Sequence, residues 1–280
     1  MRIPSLLLLC CAIGLSAATT PALAQTAPQA GALRRTITLT PSSYETGNGA
    51  AVAWHPGLKR YYTARAGNAT FPMDVFDAAG SKLNDEPYQT RYDLRSLWFN
   101  TATNQLCVAG YDDAGWGAYK LSKTGMPGDI TPLTDGQHQP GANSVGCYDG
   151  AKGLVYFLNG TRLYSYNAAN GKEVSDGSFL NLLKGIKAAY ETEIPEDAED
   201  LPEFYNQTIV FTGIANAEFG LLNIEANRID LFSAKTGMRT RTLKLPAGAT
   251  EGTPSLFNFS YANGQYFLYN KNTSEWAGYR

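Results

Sequence analysis

One stretch whose residue types could do chemistry lies between Gly110 and Gly117, in the order Gly-Tyr-Asp-Asp-Ala-Gly-Trp-Gly. An aromatic ring beside paired carboxylates, here Asp112 and Asp113, is common in carbohydrate-binding surfaces. The ring face stacks on sugar C–H groups, and the carboxylates accept hydrogen bonds from sugar hydroxyls. The same residues also suit a tight turn, in which case Trp116 would pack against the neighbouring blade.

Hydrolysis of a glycosidic bond is the catalysis that the acidic residues would support. It needs two carboxyl groups, about 5 Å apart for retention of configuration or 6.5–9.5 Å apart for inversion. Glu45, Asp93, Asp112 and Glu251 are the candidates. Nothing in the sequence marks one of them as the proton donor, so we keep a glycoside hydrolase or lyase as the alternative to a binding protein.

Other catalytic signatures are absent from the sequence. It has only two histidines, His55 and His138, and no Cys/His spacing typical of a metal site. It contains neither a Gly-x-Ser-x-Gly elbow nor a glycine-rich phosphate loop before a helix. We therefore expect no metal and no cofactor, and the absence of a recognisable catalytic set favours a non-enzymatic protein.

Short strands joined by tight turns must position these residues. Residues 155–174 read Val-Tyr-Phe-Leu-Asn-Gly-Thr-Arg-Leu-Tyr-Ser-Tyr-Asn-Ala-Ala-Asn-Gly-Lys-Glu-Val, and residues 219–245 repeat the plan. Apolar runs of this length interrupted by Asn-Gly predict strands joined by hairpins. The abundance of Tyr and Gly, with only 17% charged residues, agrees with an all-β fold.

The turns recur with a period. The first turn of each unit begins near His55, Asn100, Asp149, Gly213 and Tyr261, at intervals of about 45 to 50 residues except for one of about 64. A second landmark glycine follows about 22 to 25 residues later in four units, where a tight turn needs a positive φ. These landmarks are Gly80, Gly125, Gly171 and Gly237. The spacing is that of four-stranded propeller blades.

The turns that precede these glycines carry a resemblance. They read Asp-Ala-Ala-Gly, Ser-Lys-Thr-Gly, Asn-Ala-Ala-Asn-Gly and Ser-Ala-Lys-Thr-Gly, and each follows an aromatic-containing pair such as Val-Phe or Ser-Tyr. They resemble the turn between the third and fourth strands of quinoprotein-type and YVTN-type propeller repeats. The tryptophan that follows the glycine in quinoprotein repeats is missing, so the resemblance implies a propeller and no quinone cofactor.

The fifth unit ends after three strands, near 255–259, 265–270 and 275–279, because the sequence stops at Arg280. Residues 35–40, Arg-Thr-Ile-Thr-Leu-Thr, form a strand without a unit of its own. Pairing it with the last unit would complete the sheet and remove an unpaired edge. We therefore predict a five-bladed β-propeller over residues 34–280, closed by an N-terminal strand.

The loops that lead into the first strand of each unit are long and polar, whereas those on the opposite face are short. Long loops around the channel of a propeller are the default binding surface. We predict that a small ligand, a glycan or a protein binds there. After this binding function and the hydrolase or lyase alternative, the third possibility is a structural scaffold without a small-molecule site. The residues expected at this face are Glu45, Asn48, Arg91, Asp93, Arg95, Asp112, Asp113, Trp116, His138, Asn143, Asn206 and Glu251.

The longest interval contains an insertion near residues 178–204. Residues 179–190 place apolar side chains at helical spacing and predict a short amphipathic helix. Seven acidic residues follow within 191–203. A solvated loop is the favoured interpretation, because like charges repel, and a site for Ca²⁺ or a cationic partner is the alternative.

The N-terminus predicts export. Arg2, an apolar run from Ile3 to Leu15 and an Ala-Leu-Ala ending at Ala24 form a signal peptide over residues 1–24, and residues 25–33 are expected to be a flexible start of the mature chain. We expect a secreted or periplasmic monomer without a membrane span. The net charge of −2 argues against binding to nucleic acid.

Two cysteines remain after cleavage, Cys107 and Cys147. An oxidising compartment would permit a disulfide between them. Two buried thiols are the alternative.

Overall fold

Five sheets arranged in a ring form the fold. The computed structural model describes residues 29–42, 47–86, 88–175, 180–190 and 200–280. Four sheets have four strands and one has five, and consecutive strands within each sheet are antiparallel neighbours. This is a five-bladed β-propeller, as the sequence predicts.

Each blade is numbered from its innermost strand outward. Blade 1 consists of β3 (Asn48–His55), β4 (Arg60–Ala66), β5 (Pro72–Asp77) and β6 (Tyr88–Gln89). Blade 2 consists of β7 (Leu94–Asn100), β8 (Gln105–Gly110), β9 (Trp116–Leu121) and β10 (Pro127–Thr134). Blade 3 consists of β11 (Gly146–Asp149), β12 (Leu154–Asn159), β13 (Arg162–Asn167) and β14 (Leu180–Asn181).

The last two blades both include an N-terminal strand. Blade 4 consists of β15 (Tyr205–Phe211), β16 (Phe219–Asn223), β17 (Arg228–Phe232), β18 (Arg239–Lys244) and, at its outer edge, β1 (Gln29–Ala32). Blade 5 consists of β19 (Phe259–Ala262), β20 (Gln265–Asn270), β21 (Glu275–Tyr279) and β2 (Arg35–Leu39).

The hydrophobic core is divided among the blade interfaces. Five clusters of buried apolar side chains each join residues of two neighbouring blades. The innermost strands β3, β7, β11, β15 and β19 contact one another in sequence around a central channel. Because the strands alternate in direction, loops fall on two faces. We call the face with residues 90–93, 111–115, 135–145 and 245–258 the long-loop face, and the face with residues 56–59, 101–104, 150–153, 212–218 and 263–264 the short-turn face.

The strand β2 completes blade 5 and closes the ring, as the incomplete fifth unit of the sequence predicted. β2 pairs antiparallel with β21, and Leu39 lies opposite Trp276. Both side chains are fully buried in the cluster that joins blades 5 and 1. The closure is dense: a Cβ on Gly278 would lie 2.9 Å from Cε1 of Phe267 and nearer still to Cγ2 of Ile37.

A second N-terminal strand was not predicted. β1 pairs parallel with β18, and Gly31 lies opposite Leu243. The backbone N–H of Leu33 then donates to the carbonyl of Lys244 at 2.8 Å, and that of Arg34 donates to the carbonyl of Arg280 at 3.0 Å. The chain therefore passes from the outer edge of blade 4 to the outer edge of blade 5 and covers both.

The landmark glycines have the backbone conformation that the repeat analysis requires. The φ angles of Gly80, Gly125, Gly171 and Gly237 are 91°, 81°, 65° and 71°. In this left-handed region a side chain would clash with the backbone, which explains why glycine recurs. The hairpin at Asn159 and Gly160 also forms, between β12 and β13.

Blade 4 contains a buried charge network. The carboxylate of Asp230 is fully buried and accepts hydrogen bonds from the hydroxyls of Tyr205 at 2.6 Å and Thr242 at 3.1 Å. Arg228 and Arg239 approach it at 3.1 and 3.3 Å. A buried carboxylate is tolerated when paired and hydrogen-bonded in this way.

The predicted insertion helix forms as α1 (Leu182–Tyr190) and contacts β13 and β18. Its Ile186 is fully buried in the cluster between blades 3 and 4. Most of the acidic run, residues 191–199, and the predicted signal peptide lie outside the described residues. No helix in the described ranges has the length and apolar character needed to cross a membrane.

Candidate functional site

Arg95, the second residue of β7, organises the long-loop face. Its guanidinium is 6% exposed and forms an ion pair with the carboxylate of Asp93, in which Nη2 lies 3.2 Å from Oδ2. Nε donates to Oδ1 of Asn143 at 3.1 Å, and Nη1 donates to the carbonyl of Leu94 at 3.1 Å. The structure thus brings three of the predicted site residues together.

Two aromatic rings flank the same guanidinium. Its Cζ lies 4.5 Å from the ring centroid of Tyr111 and 5.4 Å from that of Phe257. Phe257 is buried, whereas Tyr111 is 42% exposed. A planar cation stacked on a ring is attracted by the ring quadrupole and restricts its rotation. We call Asp93, Arg95, Tyr111, Asn143 and Phe257 the Arg95 cluster.

The loop that presents Tyr111 is held by backbone hydrogen bonds. The N–H of Tyr111 donates to the carbonyl of Asp93 at 2.8 Å, and that of Asp112 donates to the carbonyl of Ala142 at 3.2 Å. Asp112 has a φ of 54°, and both Asp112 and Asp113 are exposed. An exposed ring bordered by two solvated carboxylates therefore sits on a loop of fixed geometry.

Asn206 and Asn48 hold the connection that carries Phe257. The fully buried Asn206 donates from Nδ2 to the carbonyls of Pro254 at 2.6 Å and Phe257 at 2.9 Å. Asn258 donates from Nδ2 to Oδ1 of Asn48 at 3.3 Å, and its own Oδ1 accepts from the N–H of Gly49 at 2.7 Å. These amides order the loop around the channel instead of projecting toward solvent.

Other predicted site residues lie apart from the Arg95 cluster or are buried. Arg91 is exposed and pairs with Asp129 of β10 at 3.3 Å. Both ring nitrogens of His138 lie 2.8 Å from backbone carbonyl oxygens. Glu251 is exposed, on the connection before β19. Trp116 is 1% exposed, and its ring centroid lies 6.2 Å from that of Phe157 and 6.4 Å from that of Tyr166, both in blade 3.

The candidate carboxyl groups that the structure describes lie in different surroundings. Asp93 is held in its ion pair with Arg95, and Asp112 and Asp113 face solvent. Glu45 lies outside the described residues. Within the ranges that the structure describes, no group of three or more His, Cys, Asp and Glu side chains converges on a metal position.

Cys107 and Cys147 are free thiols. Cys107 is fully buried on β8, and burial raises its pKa to about 12. Cys147 is half-buried on β11, and burial, together with the nearby Asp149, raises its pKa as well. Both groups are therefore protonated at neutral pH, and the disulfide that the compartment would permit is not formed.

The sequence analysis missed Phe257 and Asn258. Both have a positive φ, of 62°, which is uncommon for residues other than glycine. Their neighbours Leu256 and Phe259 read as an ordinary apolar run. No local signal marks this kink, because the partners that impose it, Asn206 and Gly49, come from two other blades.

A cavity of about 300 Å³ occupies the central channel. All five innermost strands line it, and so do residues of the turns on the short-turn face, including Pro56, Thr101, Gly213 and Asn263. Toward the long-loop face its lining ends near Ala51 and Val145. The channel therefore opens on the face opposite the Arg95 cluster.

Comparison with known proteins supports the fold and leaves the activity open. No family model and no curated protein sequence matches this chain. Among solved structures, the glutaminyl cyclase of Myxococcus xanthus has a TM-score of 0.55 at 10% identity, with 91% of this chain and 98% of that chain covered. A chain of a nidogen/laminin complex has a TM-score of 0.43 at 11% identity, covering 80% of this chain and 72% of that one. At such identity the first likeness concerns the fold alone, and this chain is a five-bladed β-propeller.

Proposed function

We propose that this chain is an exported, non-enzymatic propeller that binds a glycan on the long-loop face, with Tyr111 as the stacking platform. The observation that carries the proposal is the partly exposed Tyr111 ring braced on Arg95. A ring that is immobilised before binding loses little conformational entropy when a ligand stacks on it. The exposed Asp112 and Asp113 supply acceptors for hydroxyl groups beside it.

The ion pair of Arg95 favours binding over catalysis. A retaining or inverting glycosidase needs one carboxyl group to donate a proton and another to act as nucleophile or base. The carboxylate of Asp93 accepts hydrogen bonds from Arg95 at 3.2 Å and from the N–H of Gly67 at 2.7 Å, so its oxygens are engaged within the protein. Asp112 and Asp113 are adjacent and exposed on the turn that follows Tyr111.

A glycan array followed by calorimetry tests the proposal. We expect a hit whose affinity falls roughly tenfold or more in Tyr111→Ala, equivalent to about 1.4 kcal/mol or more. Asp112→Asn should weaken binding as well. Val174→Ala is the matched control, because Val174 is an exposed apolar side chain outside the long-loop face, and it should leave the affinity unchanged.

Two kinds of outcome, one concerning binding and one concerning enzymatic activity, would contradict this function. One is full affinity of the Tyr111→Ala variant for the glycan, or no hit at all on the array. The other is turnover: cleavage of the bound glycan would support the hydrolase or lyase alternative. Because one structural neighbour is a glutaminyl cyclase, that activity is measured on the same sample, and detecting it would equally overturn the non-enzymatic assignment.

We propose export on the basis of the apolar run after Arg2 and the Ala-Leu-Ala ending at Ala24. N-terminal sequencing of the protein from the secreted or periplasmic fraction should begin at Gln25. An intact Met1 in that fraction would refute this cleavage site.

A further inference from the structure

The central channel is a cavity separate from the Arg95 cluster. Its volume of about 300 Å³ lies at the lower end of the range for small-molecule sites. An apolar cavity of roughly half this size accommodates benzene in an engineered protein. The channel is thus large enough for a molecule with two fused rings.

The residues that line the cavity disfavour a charged ligand. None of the described residues that line the cavity has a charged side chain, and aromatic residues from all five innermost strands contribute to it. These aromatic residues are Trp54, Trp98, Phe99, Tyr148, Phe211, Phe259 and Tyr261. Moving an ion into such surroundings without a counter-charge is strongly unfavourable, whereas a neutral ring exchanges water for apolar contact.

Backbone polar groups line the same channel. The N–H of Val52 on β3 donates to Oγ of Ser260 at 3.0 Å, and that of Gly146 on β11 donates to Oγ of Ser96 at 2.6 Å. These N–H groups lie on the inner edge of their strands, which has no strand partner. Because alternate residues face the same edge, Trp54 and Tyr148 present their N–H and C=O groups there.

Two side chains in the wall have a polar group for which the described residues supply no partner. Thr208 on β15 lines the cavity and is 1% exposed, and its hydroxyl has no hydrogen-bond partner among the described residues. The indole N–H of Trp98, which also lines the cavity, is likewise buried without a partner. Buried polar groups are normally satisfied, so a molecule bound in the channel would supply the partner that these two groups lack.

We propose that the channel binds a neutral, ring-containing small molecule that carries an amide-like group, through the short-turn face, with the Thr208 hydroxyl as its polar contact. The rings occupy the apolar wall. The amide-like group offers both a donor and an acceptor to Thr208 and to the inner strand edges. This site is independent of glycan binding at Tyr111.

The test uses indole-3-carboxamide and indole-3-carboxylate, which have nearly the same shape and differ in charge. Thr208→Val is the test variant. Thr63→Val is its matched control, because the Thr63 hydroxyl on β4 is also buried without a partner but Thr63 does not line the channel. Both variants should melt at or above the wild-type temperature in the absence of ligand, since each removes an unsatisfied buried hydroxyl.

We expect the carboxamide to bind the full chain in calorimetry and to raise its melting temperature, as a ligand of the folded state must. Its affinity should fall about tenfold in Thr208→Val and remain unchanged in Thr63→Val and Tyr111→Ala. The carboxylate should bind at least tenfold more weakly than the carboxamide. No binding of the carboxamide at millimolar concentration, equal binding of both probes, or an unchanged affinity in Thr208→Val would each overturn the proposal. Loss of binding in Tyr111→Ala would place the probe on the long-loop face and overturn it too.

Discussion

Closing the ring with β2 requires glycine at position 278. Gly278 lies opposite Ile37 in the pairing of β21 with β2, and no space remains for a methyl group between Ile37 and Phe267. We expect Gly278→Ala to lower the free energy of unfolding by about 1–3 kcal/mol, the usual effect of overpacking a dense core. Because the backbone of Phe267 is fixed in β20, the strain should be relieved by displacement of β2.

A double-mutant cycle can separate this clash from a general effect of alanine. Ile37→Ala removes Cγ2, the atom nearest to the added methyl group. The double variant Gly278→Ala, Ile37→Ala should therefore be more stable than the sum of the single changes predicts, by about 0.5 kcal/mol or more. Gly57→Ala is the control, because its Cβ would meet His55 at an ordinary 3.4 Å, and we expect a change within about 0.5 kcal/mol.

Urea unfolding, followed by tryptophan fluorescence and circular dichroism, measures these differences, and limited proteolysis of residues 29–42 reports whether β2 has detached. Equal stability of Gly278→Ala and Gly57→Ala would contradict this prediction. Strict additivity of the substitutions at positions 37 and 278 would contradict it too, because contact with Ile37 would then not be the cause of the destabilisation.

Two further predictions concern buried ionisable groups. Asp230→Asn should lower the free energy of unfolding by about 3 kcal/mol, because it removes the buried negative charge that Arg228 and Arg239 approach. Asp129→Asn, in an exposed pair, should change it by less than about 1 kcal/mol, and urea unfolding distinguishes the two outcomes. Burial lowers the pKa of His55 in the folded state below its ordinary value of 6.5, so the unfolded chain binds more protons and stability should fall as the pH decreases through 6.5. Melting temperatures between about pH 5 and 7 should show a shallower slope for His55→Gln, and equal slopes would contradict this.

The repeat could be predicted from the sequence because each blade folds from local rules. Asn159 and Gly160 specify a hairpin by themselves, and Gly80 and Gly125 mark turns whose positive φ excludes most other residues. Counting strands then showed that one was missing, and sheet closure left β2 as the candidate. Local chemistry, repeated at a fixed interval, therefore carried most of the fold.

The site was less predictable because its contacts join distant segments. Arg95, Tyr111 and Asn143 lie on three different stretches of blades 2 and 3, and Phe257 comes from the connection before blade 5. The loop containing Tyr111 was identified, but its most conspicuous residue, Trp116, is part of the core. The channel cavity gives no sequence signal at all, since its walls read as ordinary strands.

The strand β1 was missed for a simpler reason. Its sequence, Gln-Ala-Gly-Ala, has neither alternation nor β-branched residues. Its pairing depends on the edge that β18 offers and on the anchoring of Leu33 and Arg34 immediately after it. Strands of this kind are imposed by tertiary context, which overrides propensity.

The pairing of β2 with β21 also determines the order of events during synthesis. Leu39 leaves the ribosome roughly 240 residues before its partner Trp276, a sequence separation that makes closure a late and slow step. Until then β2 and the face of blade 1 that packs against blade 5 stay accessible to other chains, which is a risk for aggregation. A nascent chain that stalls before residue 275 would lack β21 and could not pair it with β2. We expect quality-control proteases to degrade such a chain.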